Sequence, residues 1–202
     1  MLKRRYQFWI AALGLLKLGC VLIPATAQLQ KKDIAYRVEA SSAKAIICVQ
    51  EPEVREHVLN AAAECARRPL LFTLGEAEGF LDFDALLDEA DTRWQKPAEL
   101  PANDDMMLLY FTSGTTGMPK MAAHTWVYPI AQTVTAAYWH NVSDGDVHIA
   151  VADTGWAKAG WGKMYGQWIC GATLFVYDFD RFVAADLLER LAKYHVTSFC
   201  AP

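Results

Sequence analysis

Residues 110–120 read Tyr-Phe-Thr-Ser-Gly-Thr-Thr-Gly-Met-Pro-Lys, and this stretch carries the clearest chemistry in the chain. Thr112, Ser113, Thr115 and Thr116 supply four hydroxyls, Gly114 and Gly117 two glycines, and Lys120 a terminal cation, with Met118 and Pro119 between. Glycine lets backbone N–H groups turn towards an anion with no Cβ in the way. Hydroxyls donate to phosphate oxygens, and a lysine adds a mobile point charge suited to a polyphosphate. Pro119 stiffens the exit and keeps Lys120 near the loop. The stretch is not a Walker A loop, because Met121 rather than Ser or Thr follows the lysine and the glycine spacing differs. The competing reading is a hydroxyl-rich surface turn that binds nothing. An apolar strand before the run, Pro-Lys at its end and a helix expected after it favour nucleotide phosphate.

Such a loop needs elements to hold it. Apolar runs at 20–24, 45–49, 70–74, 106–111, 147–151, 173–177 and 196–200 read as strands. Helical spacing covers 6–18, 33–42, 53–67, 82–89, 125–139, 160–169 and 182–194. Asp33 and Asp82 are placed as N-caps, Pro52 as a helix start, and Arg67-Arg68 as a solvated helix end. Asp144-Gly145-Asp146 marks a turn, too short for a calcium loop. Alternating apolar strands and helices predict an α/β fold, doubly wound, with mainly parallel sheets and helices on both faces. Residues 92–105, with Pro97 and Pro101, read as a linker. The expected portions are 1–95 and 96–202, the second carrying the phosphate loop.

Composition removes several classes. The 202 residues carry a net charge of −4, which gives no basic footprint for nucleic acid. At 53% hydrophobic and 21% charged, the chain is far from a disordered composition. Five scattered cysteines, Cys20, Cys48, Cys65, Cys170 and Cys200, form no CxxC pair. They argue against a disulfide framework or a zinc site and point to a reducing cytoplasm, where the Asn141-Val142-Ser143 glycosylation motif is idle. Residues 1–28 imitate a secretory signal, with Lys3, Arg4 and Arg5, an apolar run at 8–16, and Ala25-Thr26-Ala27 as a cleavage site. Lys17 opposes a membrane span, since a central lysine costs about 2.5–3.5 kcal/mol. The alternative is an internal helix over 6–18 feeding a strand at 20–24.

Residues 112–120 resemble the phosphate-binding signature of the AMP-forming acyl-CoA synthetases, within the adenylate-forming superfamily that includes luciferases and peptide-synthetase adenylation domains. The likeness runs along the chain: Leu18-Gly19-Cys20-Val21-Leu22-Ile23-Pro24 and Asp33-Ile34-Ala35-Tyr36-Arg37 are similar to an early stretch of that family. Ala152-Asp153-Thr154-Gly155-Trp156, Tyr165-Gly166-Gln167-Trp168, Gly171-Ala172 and Thr197-Ser198-Phe199-Cys200-Ala201-Pro202 are similar to its medium-chain branch. On this likeness residues 1–28 are an internal helix and strand, and the two portions belong to an AMP-binding large domain.

The resemblance implies a two-step reaction. A small-molecule carboxylate attacks the α-phosphate of ATP to give an acyl-adenylate and pyrophosphate, and coenzyme A then displaces AMP to form a thioester. It implies that Thr112, Ser113, Gly114, Thr115, Thr116 and Gly117 wrap the departing phosphates and that Lys120 neutralises them, an electrostatic catalytic role. Mg²⁺ is implied beside the phosphates, with no metal ligand in this span. Trp156 matches a position where an aromatic residue meets the acyl group, and Gly160, Trp161 and Tyr165 are expected to line the same pocket, against a competing reading as core packing. His124 matches a frequent histidine of the family and reads as a structural hydrogen-bonder rather than a base.

The departure is one of extent. The family's later adenine- and Mg²⁺-binding motif, ribose-binding aspartate, hinge and C-terminal catalytic lysine have no counterpart in these 202 residues. The expectation is a fragment of a longer carboxylate–CoA ligase, inactive alone. The rival is a non-catalytic remnant that kept the loop as a phosphate-binding or interaction module.

Overall fold

The computed structural model describes residues 1–113 and 117–201. Along the first half run α1 (Gln7–Lys17), α2 (Lys31–Ser41), β1 (Ala45–Cys48), α3 (Pro52–Glu64), β2 (Leu70–Thr73), β3 (Leu81–Asp82) and α4 (Phe83–Glu89). The second half holds β4 (Met106–Thr112), β5 (Lys120–Thr125), α5 (Tyr128–Val134), a π-helical turn (Thr135–Trp139), β6 (Val147–Ala150), α6 (Ala157–Gly162), α7 (Tyr165–Ile169), β7 (Thr173–Leu174), α8 (Ala184–Lys193) and β8 (Ser198–Cys200). The fold is mixed α/β, with parallel sheets and helices, as the alternation of apolar runs predicts. Backbone contacts group it into two compact units.

One unit comprises residues 1–3 and 25–98. Its strands lie in the order β1-β2-β3, all parallel, with Ala45 opposite Leu70 and Cys48 opposite Thr73. Alternation turns Ile46 and Cys48, Leu71 and Thr73 inward, where Val54, Val58, Ala61 and Ala62 of α3 are also buried. The buried Thr73 hydroxyl donates to the Val49 carbonyl (3.3 Å), so its burial leaves no unmet donor. Pro52 occupies the first turn of α3 as expected, and Asp82 caps α4 by accepting from the N–H groups of Asp84 (3.0 Å) and Ala85 (3.2 Å). Two helix ends differ from expectation. α2 starts at Lys31, so Asp33 sits inside the first turn, where its charge favours the helix dipole without capping. α3 stops at Glu64, leaving Arg67 and Arg68 exposed beyond it.

The other unit joins residues 4–24 to the described residues from 99 onward. The apolar run at 8–16 is accounted for by α1, which buries Phe8, Trp9 and Ala12 and donates from Trp9 Nε1 to the Lys163 carbonyl (3.3 Å). The strand expected at 20–24 reduces to one parallel bridge: Leu22 N–H donates to Met107 O and Leu109 N–H to Leu22 O, both at 2.9 Å. In the order β7-β6-β8 all strands are parallel, with His148 opposite both Leu174 and Ser198. β4 and β5 form an antiparallel pair. The helix expected over 125–139 begins only at Tyr128, and the residues after the loop form β5 instead. Ala122 and Ala123 favour helix weakly, but the open edge of β4 offers a full ladder of hydrogen bonds, and tertiary pairing outweighs propensity.

Candidate functional site

The β4–β5 pair builds the base of the loop. Leu108 lies opposite His124, Tyr110 opposite Ala122, and Thr112 opposite Lys120, so the ladder closes where the loop begins. Thr112 Oγ1 donates to the Lys120 carbonyl (3.4 Å). Thr112, Ser113, Gly117, Met118 and Lys120 are exposed, and Pro119 is half-buried. Gly117 has φ +113°, a conformation that side-chain-bearing residues rarely adopt. The expected phosphate contacts at Gly114, Thr115 and Thr116 lie outside the described residues. Hydroxyl-bearing residues and a cation are thus exposed at the mouth of the hairpin, an arrangement that meets an anion without first breaking a buried contact.

Behind the loop base the strands carry aromatic rings. Tyr110, 3% exposed, meets His124 edge-on with centroids 5.9 Å apart. His124 packs on Tyr128 at 4.3 Å, and Tyr128 meets Tyr165 edge-on at 5.7 Å. Burial raises the Tyr110 phenol well above its ordinary range, with the Tyr128 and Tyr165 phenols adding to the effect, and pushes Tyr128 up to about 12. Burial and Tyr128 likewise raise Tyr165. These phenols stay neutral at any working pH. Burial lowers His124, and its ring is held by the two tyrosines, with no hydrogen bond to it among the described residues. The hydrogen-bonding role expected of it is therefore replaced by ring packing.

The four residues expected to line one pocket divide. Gly160 and Tyr165 join the tyrosine cluster: the Tyr110 hydroxyl occupies the space a Gly160 Cβ would need, and the Tyr128 hydroxyl lies 3.5 Å from the same point. Trp161 lies elsewhere, stacked on His140 with centroids 5.9 Å apart and planes 10° from parallel. Trp156, at the start of α6, is 62% exposed. Tyr110 and Tyr128 are the residues that sequence reasoning passed over. The period-2 alternation of Leu108, Tyr110 and Thr112 puts Tyr110 on the face of the loop hydroxyl, a signal available in the chain. Nothing local marks Tyr128.

A second buried cluster surrounds Trp161. His148 Nε2 donates to the Gly162 carbonyl (2.7 Å), and its Nδ1 lies 2.9 Å from Ser198 Oγ. Gln167 Nε2 donates to His140 Nδ1 (3.0 Å) and to the Trp161 carbonyl (3.2 Å), while its Oε1 accepts from Met164 N–H (3.1 Å). Burial, then the neighbouring His148 and Lys158, lower His140 to about 4, and burial lowers His148. Neutral rings fit a structural tie between α6, α7, β6 and β8. Among the described residues no group of three or more His, Cys, Asp or Glu side chains is placed to hold a metal ion. No helix of those residues is long and apolar enough to cross a membrane.

A family model described as AMP-binding enzyme matches residues 1–202. The chain belongs to the AMP-binding enzyme family. The likeness to acyl-CoA synthetases read from residues 112–120 and their flanks holds along the whole chain. This AMP-binding enzyme chain is 33% identical over 202 residues to the human (Homo sapiens) acyl-coenzyme A synthetase ACSM3, covering 100% of itself and 34% of that relative. It is 34% identical over 207 residues to human ACSM4, covering 100% of itself and 35% of that relative. It thus spans about a third of the length of the curated relatives it matches. The acyl-CoA synthetase of Brucella canis superposes with a TM-score of 0.85 at 22% identity, over 99% of this chain and 36% of that one. The anthranilate CoA ligase AuaEII, solved with anthranoyl-AMP, gives 0.79 at 22% identity, over 94% and 36%. At that identity the structural likeness speaks to the fold.

One expectation is overturned. The relatives ACSM3, ACSM4 and ACSM5 are named as mitochondrial, which does not fit the cytoplasmic location read from the cysteines. The described cysteines are free thiols. Free thiols indicate that disulfides are not made, a property that does not distinguish one reducing compartment from another.

Proposed function

We propose that this AMP-binding enzyme chain contributes the phosphate-handling part of an ATP-dependent activation of a carboxylic acid, fatty acids included, within a longer enzyme. The product is an acyl-adenylate, then an acyl-CoA once coenzyme A displaces AMP. The observation that carries the reading is the pairing of Thr112 with Lys120 at the mouth of the β4–β5 hairpin, both residues exposed.

As the carboxylate attacks the α-phosphate, negative charge accumulates on the departing pyrophosphate, and only groups that stabilise it more in the transition state than in the ground state accelerate the step. Thr112 and Ser113 are assigned as hydroxyl donors and Lys120 as the cation, with Gly114, Thr115, Thr116 and Gly117 completing the wrap and Met118-Pro119 leading to the lysine. Magnesium is assigned to the nucleotide's own phosphates. The acyl group is assigned to the neighbourhood of Trp156, Gly160, Trp161 and Tyr165, with Gly160 and Tyr165 nearest the loop strands. No base is needed, because the carboxylate arrives ionised.

The test uses the 202-residue chain, with ATP titration calorimetry and carboxylate-dependent exchange of labelled pyrophosphate into ATP. ATP binding, weakened on Lys120→Ala, is the expected result. Exchange as well would make the chain competent in the first half-reaction; binding without exchange would leave it a phosphate-binding module. Absence of ATP and pyrophosphate binding would sink the assignment of the loop.

A further inference from the structure

Tyr110 stands two residues before Thr112 on β4, on the same face, and is almost wholly buried. Its hydroxyl lies against the backbone of Gly160 inside α6, fifty positions along the chain. The fit is close: a Cβ built on Gly160 would collide with that hydroxyl, and ordinary contact with the Tyr128 hydroxyl follows at 3.5 Å. The Tyr165 hydroxyl is buried nearby, with no hydrogen-bond partner among the described residues. A phenylalanine at 110 would leave the Gly160 contact empty, and an alanine at 160 would overfill it. The glycine at 160 and the tyrosine at 110 therefore answer one another: one leaves the room, the other uses it.

We propose that Tyr110 is a positioning residue whose hydroxyl, seated on the backbone of Gly160, sets the position of the Thr112–Lys120 loop base relative to α6. The proposal rests on the phosphate reading of that loop. A shift at the base of the loop carries Tyr110 with it and draws on α6; a shift of α6 is felt at Thr112 and Lys120. The tie is short, because one strand residue separates Tyr110 from Thr112 and the Thr112–Lys120 pair closes the hairpin.

Four forms of the 202-residue chain test this: the parent, Tyr110→Phe, Gly160→Ala and the double variant. The readouts are the amide resonances of Thr112, Lys120 and Gly160, the affinity for MgATP, and the melting temperature. Tyr110→Phe should move the Lys120 and Gly160 amides and weaken MgATP binding by roughly two- to tenfold, the range of one small buried group removed. Gly160→Ala should weaken binding too, by displacing the phenol. Adding Tyr110→Phe to Gly160→Ala should recover part of that loss, because the hydroxyl that met the new methyl is gone. A lower melting temperature with unmoved Lys120 amide and unchanged affinity would overturn the proposal, as would losses that simply add in the double variant. If the parent fails to bind MgATP, the phosphate reading falls, and the amides alone decide: a shift at Lys120 in Tyr110→Phe upholds the tie, and none overturns it.

Discussion

Lys120 illustrates how exposure and function separate at the scale of one residue. Its side chain is exposed at a strand end, so Lys120→Ala should change stability by no more than about 0.5 kcal/mol, the usual range for such surface sites. The same change should weaken ATP binding by roughly tenfold or more, the cost of a lost charge-assisted bond. Urea melts and calorimetry on one sample separate the two effects. Lys163 presents the opposite case. It is buried at 6% exposure, donates from Nζ to the Ala152 carbonyl, and is lowered to about 8 by burial, then by Arg4, with Asp153 opposing. In the unfolded chain its ordinary value is 10.5. Between those values the unfolded state binds more protons, so the Lys163 contribution makes the fold more stable as pH rises through the window. The buried phenols, and the Cys48 thiol raised by burial, pull the other way near and above their ordinary values. The clean measurement is therefore a difference: from pH 8 to 9.5 the parent should gain on Lys163→Met by up to about 1.4 kcal/mol per pH unit. A constant difference across that range would refute the assignment.

At the scale of elements, the π-helical turn and α7 depend on a glycine that helix propensity argues against. Gly166 lies inside α7, where alanine in an exposed helix would gain about 1 kcal/mol. Here the Cβ would run into the Gln132 carbonyl and come within 3.0 Å of Ala136 Cβ. Gly166→Ala should therefore destabilise the protein by about 1–3 kcal/mol, the scale of overpacking, with urea denaturation as the check. A gain in stability would mean that the two helices separate freely. Much at this scale was legible in the chain. α1, α4, α8, β1, β2, β4 and β8 fall close to their expected limits, because each has either a clean apolar period or a capping residue of its own. β5 was not legible. The residues after Lys120 carry no strand pattern, and they become a strand because β4 offers its edge. The aromatic group was half legible for the same reason: Gly160 and Tyr165 were singled out, while Tyr128 reaches them from α5 through packing that local sequence does not encode.

For the whole molecule, the unusual feature is that one compact unit is assembled from two distant stretches, residues 4–24 and those from 99 onward. Residues 91–100 between the stretches are exposed throughout and lack helix or strand. Limited trypsin digestion should cut first after Arg93, since Pro97 protects Lys96. The two products should nevertheless elute together in non-denaturing gel filtration. α1 and the Leu22 bridge to β4 hold the amino-terminal stretch against the rest of its unit. Separation of the products would show that these contacts do not suffice once the chain is cut. The sequence by itself determined the α/β class, the phosphate-type loop and the family likeness. These rest on periodicity, on glycine and hydroxyl chemistry and on residue order, all local to the chain. Tertiary structure alone decided that the loop closes on an antiparallel strand, that Trp161 leaves Gly160 and Tyr165 for His140, and that Tyr110 reaches Gly160. Each of those outcomes depends on which open edge or cavity lies nearby once the chain has folded, and distance along the sequence carries no record of it.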